Sequence, residues 1–267
     1  MIDVHTHIFD EEVYQQYRER SKRKVEKAVT IHYFCRFDSV GNEELKLEDL
    51  LQFAQDKPDL VVAASADLTA DVESQVSKLD NLFASGAIVA VKLYPGYQHV
   101  SVSDPKAEAF ARLCAKHRRP LIIHTGDVYD PTGAALLKYS HPLHVDELAV
   151  LVPECSIIVG HFGFPYLLET AMVMAKHMNV YADLSGTINS QNNSDAGKLA
   201  NQYGLDLRRV FNYYPEVRGK ILFGTDYTGE KFPLKWFDEY ANVVNDVFPP
   251  DEREQVFGGL ARKLFGL

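Results

Sequence analysis

The chain has 267 residues, 46% hydrophobic and 24% charged, the balance of an ordinary soluble protein with a large core. Its net charge of -9 argues against nucleic acid, whose phosphates demand a basic face, and no apolar run approaches membrane-spanning length. Three cysteines, Cys35, Cys114 and Cys155, with no C-x-x-C spacing and no charged-then-apolar leader ahead of the first strand, lead to the expectation of a cytoplasmic protein.

Ile2-Asp3-Val4 reads as a strand, followed by His5 and His7. Residues two apart in an extended strand face the same side, so both imidazoles converge on one point at its end. Two neutral imidazoles there are a common opening for a Zn, Fe, Ni or Mn site, although a pair of turn histidines is the alternative for an isolated H-x-H. A polar helix over roughly Asp10 to Lys24 precedes a second strand, Val25 to Phe34. Glu43 to Asp56 carries Leu47, Leu50, Leu51 and Ala54 at helical spacing and is closed by Pro58. Leu60 to Ala66 is almost wholly apolar, as strands buried on both faces of a parallel sheet are.

The alternation continues. A helix through Val72, Val76, Leu79 and Phe83 stops at Gly86, and Ala87 to Leu93 is a strand. Asp104-Pro105 opens a helix to about Arg118, with Pro in its first turn. Strands over Pro120 to His124, Ser156 to His161, Val180 to Leu184 and Lys220 to Phe223 alternate with helices over His144 to Leu151, Pro165 to Lys176 and Ser194 to Tyr214, the last broken near Gly204. Helices over about Pro233 to Val247 and Asp251 to Leu264 finish the chain. Eight strands alternating with helices predict a single-domain (β/α)₈ barrel over residues 1–267. A doubly wound sheet is the alternative, but no G-x-G-x-x-G follows any strand.

In such barrels the chemistry sits at the carboxyl ends of the strands. Strand one ends in His5 and His7, strand four in Lys92, strand five in His124, strand six in His161 and strand eight in Asp226. Gly126, Gly160, Gly163 and Gly224 beside them allow close backbone approach. Asp183 ends another strand and is a candidate substrate contact. His32, Arg36 and Tyr227 are further candidates, with a satisfied core histidine, surface placement and rim packing as their respective alternatives. His117 and His177 sit late in helices, where a cation complements the dipole, and read as structural.

The motifs VKLYPG, IIHTGD, VGHFG, NVYADLSG and LFGTDY, in this order, resemble the strand-end signatures of the metal-dependent amidohydrolase superfamily, in its amidohydrolase-2-type branch. The resemblance implies that His5, His7 and Asp226 bind the more buried metal. It implies that His124 and His161 bind a second metal, or that one of them contacts substrate. Lys92 stands where two-metal relatives carry a CO₂-modified lysine bridging both ions; an unmodified ammonium would clamp a substrate anion instead. Nothing after H-T-H supplies the arginine of dihydroorotases, since Ile8-Phe9-Asp10 stands there. The resulting expectation is a hydrolase with one or two divalent metals, zinc first and Mn, Fe, Co or Ni next, acting on an amide, lactone or other ester-like bond of a small molecule. Asp226 and His161 move protons in that reading. A metal-dependent non-oxidative decarboxylase is the alternative, a binding protein that keeps only the metal is disfavoured by the full ligand set, and a homodimer is expected on base rates.

Overall fold

The computed structural model describes residues 1–22, 24–33, 45–128, 130 and 133–267. Arg36 and Cys35 lie outside these residues, as do the predicted strand end at Phe34 and helix start at Glu43. Eight strands, β1 (Ile2–Thr6), β2 (Lys27–Ile31), β3 (Leu60–Ser65), β4 (Ala90–Leu93), β5 (Leu121–Ile123), β6 (Ile157–Val159), β7 (Val180–Asp183) and β8 (Ile221–Leu222), form one sheet in sequence order. Every neighbouring pair is parallel. Backbone bonds from Val4 to Phe223 (3.0 Å), Asp226 to His5 (2.8 Å) and His7 to Tyr227 (2.8 Å) join the last strand's end to the first. The architecture is a (β/α)₈ TIM barrel.

The helices α1 (Glu11–Arg20), α2 (Leu47–Gln55), α3 (Val72–Ala84), α4 (Pro95–Gln98), α5 (Pro105–His117), α6 (His144–Leu151), α7 (Leu167–Lys176), α8 (Asn193–Tyr213), α9 (Phe237–Val247), α10 (Pro250–Glu254) and α11 (Leu260–Phe265) follow the strands. Asp10, Asp71 and Asp104 cap α1, α3 and α5 by accepting backbone N–H groups. The predicted break at Gly204 is absent. α8 runs through it with Gly204 buried, and a Cβ there would meet Val247 only at an ordinary contact distance of 3.6 Å, so burial of the helix outweighs the local cost of glycine. The predicted last helix is divided, with a π-turn over Gln255–Gly259 where Gly258 leaves the helical region.

Two apolar layers result. One fills the space between sheet and helices. The other fills the barrel with Ile2, Val4, Val29, Ile31, Ile122, Ile158 and Leu222, against which Leu260, Leu264 and Phe265 pack. Side chains from α11 thus join the barrel filling, and the polar strand ends are grouped at the opposite, carboxyl face.

Candidate metal centre

β1 delivers His5 and His7 through a register shift between Asp3 and Thr6. Both imidazoles are buried. His7 Nδ1 lies 3.1 Å from the Ile31 carbonyl and its Nε2 lies 3.0 Å from Asp226 Oδ1. Both partners only accept, and a neutral imidazole has one N–H. Burial pushes the His7 pKa down despite Asp226, so an imidazolium is not the favoured remedy. A cation between Nε2 and Oδ1 removes the conflict.

His5 stands beside His7 with both ring nitrogens against polar groups. Its Nδ1 is 3.0 Å from Asp183 Oδ2, while its Nε2 is 3.6 Å from Asp226 Oδ1 and 3.3 Å from Lys92 Nζ. Ligand atoms of His5, His7 and Asp226 all lie within 4.8 Å of one another. Burial raises the Asp226 carboxyl, yet its hydrogen bond with His7 and the electrostatic pull of the His161, His5 and His7 rings hold it well below the usual carboxylate range. A carboxylate oxygen and two imidazole nitrogens fit a divalent metal such as zinc, manganese or iron.

The second group stands beside the first. The His161 ring lies 4.7 Å from that of His5 and 4.8 Å from that of His124. His161 Nε2 is 3.1 Å from His124 Nδ1, and His124 Nε2 donates to the Asp127 carbonyl at 3.0 Å. Burial pushes His161 down to about 3 and His124 well below its ordinary value, so both are neutral at pH 7. Lys92 is fully buried on β4 between these groups, and a Cβ on Gly160 would come within 3.4 Å of its Nζ. Asp226 (φ 60°) and His161 (φ 60°) both occupy the left-handed region, which costs a non-glycine residue of order 1–3 kcal/mol. Strain at these two positions aims their side chains at the mouth.

A family model described as Amidohydrolase (Amidohydro_2) matches residues 2–267. The chain belongs to the amidohydrolase family. A comparison with curated proteins finds no match. Among solved structures, this amidohydrolase is similar to an uncharacterised TIM-barrel protein from Bordetella bronchiseptica (17% identity, TM-score 0.72, covering 100% of this chain and 98% of that one). A probable 2-pyrone-4,6-dicarboxylic acid hydrolase from Acinetobacter baumannii, with citric acid bound, superposes at TM-score 0.67 and 17% identity over 100% and 99% of the chains. A dihydroxybenzoic acid decarboxylase from a Polaromonas species, with manganese and an inhibitor bound, does so at 0.65 and 15% over 100% and 96%. At these identities the likeness is one of fold.

The amidohydrolase brings together all six strand-end residues predicted from sequence. The four further candidates fare differently. Asp183 is fully buried, and its oxygens take the His5 ring, the His161 N–H and Ser185. Tyr227 is displaced from the mouth, its ring 5.2 Å from Tyr17 and its hydroxyl donating to Glu230 at 3.2 Å, because β8 turns it into the helix layer. His32 bonds Ser65 Oγ and the Leu45 carbonyl, each at 2.7 Å, as a satisfied core histidine does. Arg36 is outside the described residues. Ser185 and Gly186 were missed, although both stand in the YADLSG motif: Ser185 Oγ is 2.9 Å from His161 Nδ1, and a Cβ on Gly186 would collide with the His161 ring. Tyr33, stacked on His7 at 4.0 Å, and Tyr97, 5.2 Å from His124, add an aromatic wall.

Proposed function

We propose that this amidohydrolase is a divalent-metal-dependent hydrolase, with zinc as the metal, that directs water onto an amide, lactone or other ester-like bond of a small molecule. The observation that carries the reading is the pair of acceptor atoms, His7 Nε2 and Asp226 Oδ1, held 3.0 Å apart in a buried site. His5, His7 and Asp226 would hold the metal, and His124, His161 and Lys92 a second ion or the substrate. When bound, the metal acidifies water and polarises the bond to be broken. Asp226 accepts the water's proton and passes it to the leaving group. Neutral His161 is likewise a proton acceptor. The Lys92 ammonium, after giving up one proton, adds CO₂ with loss of a second; the resulting carbamate is a carboxylate-like ligand in a place where an ammonium would repel a cation.

Non-oxidative decarboxylation is the second reading, favoured by the aromatic wall of Tyr33, Tyr94 and Tyr97 beside His7 and His124. A flat wall suits a planar ring, whether a lactone or an aromatic acid. Lactones, amides and aromatic carboxylic acids incubated in ¹⁸O-water separate the two. Hydrolysis predicts ¹⁸O in the product without gas; CO₂ release without ¹⁸O incorporation overturns it. No described helix is long and apolar enough to cross a membrane, and Cys114 and Cys155 are free and buried, in keeping with the proposed cytoplasmic location. A homodimer is proposed on the frequency of two-fold assemblies.

A further inference from the structure

Behind the ligand cluster, Asp183 and Ser185 form a second shell whose protons can be counted. Asp183 Oδ1 receives the His161 N–H at 3.1 Å, the Ser185 N–H at 3.0 Å and the Ser185 hydroxyl in a short bond. The single proton of Ser185 Oγ is thereby spent. Only lone pairs remain on Oγ for its two other neighbours, His161 Nδ1 at 2.9 Å and His5 Nδ1 at 3.1 Å. His5 Nδ1 also faces Asp183 Oδ2 at 3.0 Å, a second acceptor. Each of these imidazoles is therefore required to carry its proton on Nδ1.

We propose that the Asp183–Ser185 pair is a tautomer lock, which forces His5 and His161 together into the Nδ1–H form so that both present a bare Nε2 to the metal centre. Without the lock, His161 has a better local option. His124 Nδ1 is an acceptor 3.1 Å from His161 Nε2, because the His124 proton is committed to the Asp127 carbonyl. A His161 free to choose moves its proton to Nε2, donates it to His124, and closes the nitrogen that would otherwise face a metal or substrate. Ser185 is thus a positioning residue, acting on reactivity through His161. Its position is fixed by the fold: it is fully buried, two residues beyond the end of β7, and a Cβ on the neighbouring Gly224 would lie 3.3 Å from its own Cβ. Outer partners of this kind govern ligand orientation, and losing one typically costs 10–100-fold in metal affinity.

The inference rests on the metal-centre reading, and its test keeps the two apart. Long-range ¹H–¹⁵N spectra of uniformly ¹⁵N-labelled protein, as purified and after a chelator, report the protonated nitrogen of each histidine. Wild-type protein and Ser185→Thr should show Nδ1–H at His5 and His161; Ser185→Ala should move His161 to Nε2–H. Zinc affinity measured by chelator competition should weaken about 10–100-fold in Ser185→Ala and recover in Ser185→Thr. A Ser185→Ala protein that keeps Nδ1–H at His161, or that binds zinc as tightly as wild type, overturns the lock. Should Ser185→Thr not fold, the wild-type and Ala spectra decide alone. Wild-type protein that takes up no zinc defeats the metal reading, while the tautomer spectra still decide the lock.

Discussion

Asp3 lies two residues before the first histidine and is fully buried. Its Oδ1 accepts the backbone N–H groups of His5 (3.3 Å) and Thr225 (3.1 Å), and its Oδ2 the hydroxyls of Thr225 (2.7 Å) and Tyr17 (2.9 Å). One carboxyl thus ties β1, the segment after β8 and α1 together where the barrel closes. Burial pushes it up to about 7, against the pull of these four donors. The folded state then holds a proton that the unfolded chain has released, so this group's contribution falls as pH rises from about 4 to 7, by up to about 4 kcal/mol. Buried His7, His124 and His161 run the other way: their contribution is complete above about pH 6.5 and is lost as pH falls. Asp3→Asn isolates the first effect, because the amide keeps the Oδ1 bonds and donates to a hydroxyl on the other side. Urea unfolding at several pH values should show the variant gaining on wild type between pH 4 and 7 and level above. A pH-independent difference would contradict this. Asp3→Ala strands two buried amides and should destabilise at every pH, by about 1–3 kcal/mol for each.

At the level of elements, the sequence Ala-Lys-His closes both α5 (115–117) and α7 (175–177, His177 being its C-cap). In each case Lys and His reach one aspartate on an earlier helix: Asp80 of α3 at 2.7 and 2.5 Å, and Asp146 of α6 at 2.7 and 2.7 Å. His117 and His177 read from sequence as structural residues late in helices, and both are engaged there. The partner was not legible in the sequence, because the aspartate is supplied by another helix 37 or 31 residues earlier. Asp80 and Asp146 are held below the usual range by these bonds, Lys first and His second, so their contribution is present above about pH 4 and lost below. His117→Ala and His177→Ala should each lower the urea midpoint slightly at pH 7 and add in the double variant, since the clamps share no residue. Strong non-additivity would show the two clamps to be coupled. The same limit explains the Gly204 helix, where local propensity predicted a break and the helix is continuous, with Gly204 among its buried residues.

For the molecule as a whole, periodicity sufficed for the barrel, because eight buried strands with intervening helices have few closures open to them. The six strand-end residues followed from that register. What hydrogen-bond partners decide did not follow: Asp183 is turned behind His5, Tyr227 into the helix layer, and Ser185 toward His161. These orientations depend on atoms brought from separate strands, which spacing along one strand does not encode. All of this turns on a divalent metal held at the strand ends by His5, His7 and Asp226. Elemental analysis of protein purified without chelator, beside His7→Ala and Lys92→Ala, tests it most directly. At least one metal ion per chain is expected in the parent, with loss in His7→Ala and a reduced content in Lys92→Ala. Parent protein that carries no metal even after supplementation would contradict it.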